Sequence, residues 1–181
     1  MFVDGEYARK IFKKQNFRLD VPGLVKKVLA EAGIDDQLLL RVYFYTAPPY
    51  QSTNPTADEK QRYGQFMKWK SFLEKQDNFE IKLGRTERRG PDYEQKMVDV
   101  LLSIDLVELS AKSRIRTAIL LAGDSDLVPA VKKAKDNGVK VILCCSEDKH
   151  EYHRELWMES DKRIHLTTAI MSDSCCGKTL A

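Results

Sequence analysis

Apolar residues recur along this chain in two rhythms. Short, nearly unbroken apolar runs at 1–4, 38–45, 79–83, 118–122, 139–145 and 163–166 have the length and branched-residue content of strands. Between them, apolar positions return every three or four residues, which predicts helices over 6–14, 23–32, 57–76, 92–112, 127–137 and 152–159. Pro22 opens the second of these helices and Gly33 closes it, and Gly138 closes the one starting at Leu127. The polar stretch 48–56 and the basic stretch 84–91 read as loops. Strands spaced by helices predict a three-layer α/β/α domain around a central, mainly parallel sheet. One domain is expected over 1–168, followed by a flexible small-residue tail over 169–181.

Composition narrows the class. With 181 residues, 43% hydrophobic and 31% charged, the chain suits a soluble globular protein with one core. No apolar stretch is long enough to span a bilayer, so no membrane partner is expected. The chain starts directly in a strand-like run, with no signal peptide expected. Its four cysteines form adjacent pairs, Cys144-Cys145 and Cys175-Cys176, neither with zinc-ligand spacing. Cys144 and Cys145 are expected to be reduced core residues and Cys175 and Cys176 to lie in a disordered tail, all of which suits a reducing cytoplasm. Net charge is only +3, so nucleic-acid affinity would have to come from local patches. The stretch 60–89 is one, with nine Lys or Arg against four Asp or Glu.

The run from Ala118 to Asp126 brings in the chemistry. A buried strand ends at Gly123 and is followed at once by Asp124 and Asp126. In open α/β sheets that carboxyl edge is where ligands bind. Two acids there repel, and a hard divalent cation is the simplest group to hold them. The competing role is a helix cap, with Asp126 starting a helix that carries Pro129 in its first turn. Asp4 repeats the same pattern, following Phe2-Val3 and preceding Gly5. If the two strands are neighbours, Asp4, Asp124 and Asp126 meet at one edge.

The stretch 97–107 is apolar apart from Asp99, Ser103 and Asp105 and is expected to be largely buried. A buried carboxylate needs a partner, and for Asp99 that is either a cation or Lys96 on the same helix face. Asp105 lies about 240° further round, so both are not expected to reach one ion. A second-shell or structural role is expected for Asp105.

Taken together, Phe2-Val3-Asp4-Gly5-Glu6, Lys96-Met97-Val98-Asp99 with Asp105, and Leu121-Ala122-Gly123-Asp124-Ser125-Asp126 followed by Pro129 and Gly138-Val139-Lys140-Val141 resemble the NYN domain of the PIN-like nuclease superfamily. The resemblance runs from residue 2 to about residue 166. It implies a PIN-like fold, a Mg²⁺ or Mn²⁺ ion held by Asp4, Asp99, Asp124 and Asp126, and endonucleolytic cleavage, mostly of RNA. Glu6, Tyr7, Lys96, Asp105 and Ser125 would surround those acids. Tyr7 is the one departure, since family members commonly carry Asn there. A Tyr either replaces the hydrogen bonding, stacks on a base, or weakens the site.

Arg85, Arg88 and Arg89, expected in a loop before Asp99, are candidate phosphate contacts, and Tyr50 a candidate base contact. Tyr63, Phe66, Trp69 and Phe72 recur at helical spacing and read as core. His150 and His153 read as surface loop, and Gly177-Lys178-Thr179 lacks the glycine a phosphate loop requires. The function expected is a metal-dependent ribonuclease, with DNA as an open alternative substrate and a homodimer allowed. The rivals are a non-catalytic RNA-binding adaptor of the same fold and, less favoured, a haloacid-dehalogenase-type phosphatase using Asp124 and Asp126.

Overall fold

The structure is a computed structural model that describes residues 1–174. Six parallel strands make the central sheet: β1 (Phe2–Asp4), β2 (Val42–Thr46), β3 (Phe79–Leu83), β6 (Thr117–Leu121), β7 (Lys140–Ser146) and β8 (Lys162–Leu166), in the order β3-β2-β1-β6-β7-β8. This is the expected three-layer α/β/α arrangement. Strand order reverses at β1, which lies between β2 and β6 with Val3 opposite Phe44 and Leu121. That reversal opens a crevice at the carboxyl ends of β1 and β6, the place where open α/β sheets bind ligands.

Alternation along the strands supplies two cores. Ile119 and Leu121 face one layer, while Ala118, Leu120 and Ala122 face the other. The first layer holds α1 (Gly5–Lys14), α2 (Val21–Ala32), α3 (Ala57–Glu74) and α7 (Thr168–Ser174). The second holds α4 (Val98–Ala111), α5 (Val128–Asp136) and α6 (Arg154–Glu159). Cys144 and Cys145 are buried free thiols, one on each side of the sheet. No helix among the described residues is long and apolar enough to cross a membrane.

Four expectations need correction. The stretch 84–96 is neither a loop nor the start of a helix. It forms an antiparallel hairpin of β4 (Arg85–Arg89) and β5 (Asp92–Lys96), turning at Gly90. Its residues are mostly charged and wet on both faces, so no apolar period marks the strands. Helix α4 begins only at Val98, after Met97 takes a left-handed conformation with φ 72°. Although apolar all round, α4 buries one face (Val98, Leu102, Leu106) and leaves Val100 and Ile104 exposed. Finally, the tail expected from 169 is helical over Thr168–Ser174. Ile170 and Met171 are buried, and Lys27 pairs with Asp173 at 3.0 Å. Cys175, Cys176 and the 177–179 motif lie outside the described residues.

Candidate active site

Asp4 is the last residue of β1 and the N-cap of α1. Its Oδ1 accepts from the backbone N–H of Glu6 at 2.9 Å and of Tyr7 at 3.2 Å, so one oxygen is committed and the carboxylate is held in place. Asp124, three residues beyond β6, does the same for a short 3₁₀ turn, Ser125–Leu127. Its Oδ1 accepts from Asp126 N–H at 3.1 Å and, at 3.5 Å, from the Ser125 hydroxyl. The capping role expected of Asp126 therefore falls to Asp124, and α5 starts at Val128 without a side-chain cap. Asp99 sits in the first turn of α4, where the helix dipole favours a carboxylate.

Asp4, Asp99 and Asp124 line one hollow of about 490 Å³ in the crevice, together with Glu6 and Tyr7. Asp126 does not line it, but its charge reaches Asp99. The electrostatics mark a site short of positive charge. Burial, reinforced by the charges of Asp99 and Glu6, pushes the Asp4 carboxyl up to about 6 despite its backbone hydrogen bonds. Burial and the charges of Asp124, Asp126 and Glu6 raise that of Asp99. Lys10 also lines the hollow, yet forms no ion pair among the described residues.

Carboxylates of this kind are the donors a hard divalent cation takes. They are spread round the hollow rather than closed on a point. Among the described residues, no three His, Cys, Asp or Glu are grouped so as to hold a metal ion. The donor chemistry fits such an ion, and the mutual repulsion of the acids is what one would relieve.

Tyr7 is buried, with its ring packed against Gly123. Its hydroxyl accepts from Ser146 N–H at 3.2 Å, at the end of β7, and burial holds its pKa far above the ordinary tyrosine value. A side chain at Gly123 would collide with the Tyr7 ring and with the Glu151 carbonyl. Gly123 is thus required by close approach, where the sequence suggested only a turn. Tyr7 braces the Asp4 and Asp124 turns against β7.

Other candidates lie elsewhere. Lys96 ends β5 and pairs with Glu94 at 2.6 Å, so the helix-face pair with Asp99 does not form. Asp105 accepts from the Tyr45 hydroxyl at 2.9 Å and lies 3.7 Å from Lys82, lining a different cavity. It is therefore not a neighbour of the acids in the hollow. Arg85 and Arg89 pair with Glu87 and Glu94 on the hairpin, and Arg88 donates to the Gly90 carbonyl. None of the three lines the acid hollow.

Sequence reasoning missed the far wall, formed by His150, Glu151, Tyr152 and His153. His153 N–H donates to the Gly123 carbonyl at 2.7 Å, so this loop is strapped across the acidic turn. The signal was available: β7 neighbours β6, and in a parallel sheet the loop after it must emerge at the same edge.

Comparison with known proteins gives a consistent picture. The chain matches the NYN domain over residues 1–167. It is 37% identical over 67 residues to an uncharacterized protein of Sinorhizobium fredii, covering 37% of this chain and 30% of the relative. It is 40% identical over 50 residues to an uncharacterized protein of Methanocaldococcus jannaschii, covering 28% of this chain and 21% of the relative. The matched stretches thus span less than a third of either relative's own length. No solved structure matches.

Proposed function

We propose that this chain, which belongs to the NYN domain family of nuclease-like PIN-superfamily domains, is a metal-dependent endoribonuclease. The observation that carries the reading is that Asp4, Asp99 and Asp124 line one crevice, with burial and neighbouring acids raising the pKa of Asp4 and Asp99. Asp4, Asp99 and Asp124 would hold a Mg²⁺ or Mn²⁺ ion, with Asp126 adding charge from behind Asp99. Such an ion, when bound, lowers the pKa of water and offsets phosphate charge. The backbone bonds to Oδ1 of Asp4 and Asp124 fix both carboxylates before any ligand arrives, so little reorganisation accompanies binding. Asp4 ligates as the carboxylate, and because its pKa without an ion is raised to about 6, ion binding there competes with protonation as pH falls. His150 and His153 line the wall of the hollow that faces the acids, within reach of a bound strand. Arg85, Arg88 and Arg89 would contact the strand beyond the hollow. The buried free thiols Cys144 and Cys145 suit a reducing cytoplasm.

The test is cleavage of an end-labelled RNA in Mn²⁺. Internal cuts are expected, abolished by EDTA and lowered at least about a hundredfold by Asp124→Asn or Asp99→Asn. Intact RNA with the wild-type protein, or cutting that both variants retain, would refute the proposal.

A further inference from the structure

We infer that a second cleft, adjoining the acid hollow, seats an unpaired nucleotide of the strand to be cut. The inference deepens the nuclease reading and rests on it for the strand's path. The cleft, of about 540 Å³, lies between α3 and the β4–β5 hairpin and shares Glu6 and Gln95 with the acid hollow. Thr86 Oγ donates to the Pro48 carbonyl at 2.6 Å, which ties the hairpin to the loop after β2.

Three features of its lining are only partly used by the folded chain. The first is aromatic surface left open. Tyr50, on the loop after β2, and Tyr93, on the hairpin, bring their ring centroids 5.4 Å apart, and Tyr93 is 49% exposed. Aromatic faces of this kind stack nucleobases without regard to sequence. The second is a half-buried cation. The Arg9 guanidinium lies 4.8 Å over the Trp69 ring on the cleft floor and donates one bond, to Thr46 Oγ1 at 3.1 Å. Among the described residues no carboxylate lies within ion-pair distance of it, so most of its N–H donors are open to a phosphate. The third is Gln95, whose buried Oε1 has no hydrogen-bond partner among the described residues. An orphan acceptor there is unfavourable, and a turn of the Gln95 amide towards the cleft it lines would let a ribose hydroxyl or base amine supply the donor.

An aromatic face, a guanidinium with unused donors and an acceptor wanting a donor are the complement of one nucleotide: base, phosphate and hydroxyl or amine. A paired base stacked inside a duplex cannot enter such a cleft, so the strand is unpaired at this point.

The test is fluorescence anisotropy of the full chain with a labelled single-stranded RNA of roughly ten nucleotides, the same RNA as a duplex, and a single-stranded DNA of matching sequence. EDTA is present so that binding is read without cleavage. Tyr93→Ala and Arg9→Gln are each expected to weaken single-strand binding about tenfold, with Tyr93→Phe restoring it. Leu38→Ala, at the opposite edge of the sheet, is the control expected to bind like wild type. Thermal melting confirms that each variant is folded. Unchanged affinity in folded Tyr93→Ala and Arg9→Gln, or equal weakening towards duplex, overturns the inference. Variant-dependent binding with no cleavage in Mn²⁺ keeps the cleft and removes the nuclease reading. Cleavage with an unaltered KM in Tyr93→Ala does the reverse. A DNA strand that binds as tightly as RNA keeps the cleft and moves the substrate from RNA to DNA.

Discussion

Asp4 does two jobs that pull against each other. As the N-cap of α1 it stabilises the fold, and as a buried charge beside Asp99 it opposes it. Its folded pKa of about 6 stands above the ordinary aspartate value of 3.8, so its contribution to stability is fully present below about pH 4 and is lost as pH rises through 6. Without a divalent ion, the ionised residue is expected to weaken the fold by about 2–3 kcal/mol at pH 8. Asparagine caps helices about as well as aspartate. Asp4→Asn should therefore raise the denaturation midpoint at pH 8, leave it nearly unchanged at pH 4, and abolish cleavage. Equal effects at both pH values in urea titrations would show that Asp4 carries no such burden. Tyr7 belongs to this scale too. Tyr7→Phe leaves Ser146 N–H buried without a partner and should cost about 1–2 kcal/mol in the same titration.

The element that decides the site's shape is the turn after β6. Gly123 sits against the Tyr7 ring and the Glu151 carbonyl, and its own carbonyl accepts from His153 N–H. Three loops from three strands are locked together there. Gly123→Ala forces them apart, at about 1–3 kcal/mol of overpacking, and should lower cleavage more than stability alone explains. Melting curves paired with initial rates would show it. A variant as active and as stable as wild type would mean the turn is not under this constraint.

The elements also show what the sequence made legible. The sheet strands were readable because burial on both faces leaves continuous apolar runs, as in Ala118 to Leu121. The acids were readable because each ends such a run or interrupts an apolar helix. The 85–96 hairpin was not, since its strands bury little, and cross-strand pairs such as Arg89 with Glu94 hold it instead. Met97 hid the true start of α4, because a left-handed methionine leaves no signature in composition. Lys96 and Arg85 were consequently assigned to the wrong kind of element.

For the molecule as a whole, the sheet reversal at β1 gathers the acids, the strap at 150–153 and the aromatic cleft on one edge. Ion binding at that edge and global stability should then be linked. At a hundredfold excess over Kd, Mn²⁺ is expected to add about 2.7 kcal/mol to the wild type and to raise its melting temperature by several degrees. Asp99→Asn should melt independently of Mn²⁺. A melting temperature that ignores Mn²⁺ in the wild type would argue against a bound ion.

The most direct measurement is anomalous diffraction from crystals soaked in Mn²⁺. We expect a peak in the hollow at the carboxyl ends of β1 and β6, with oxygens of Asp4, Asp99 and Asp124 as its ligands. Saturating Mn²⁺ with no peak there, or a peak elsewhere that leaves these three carboxylates unligated, would contradict the metal-dependent site at its root.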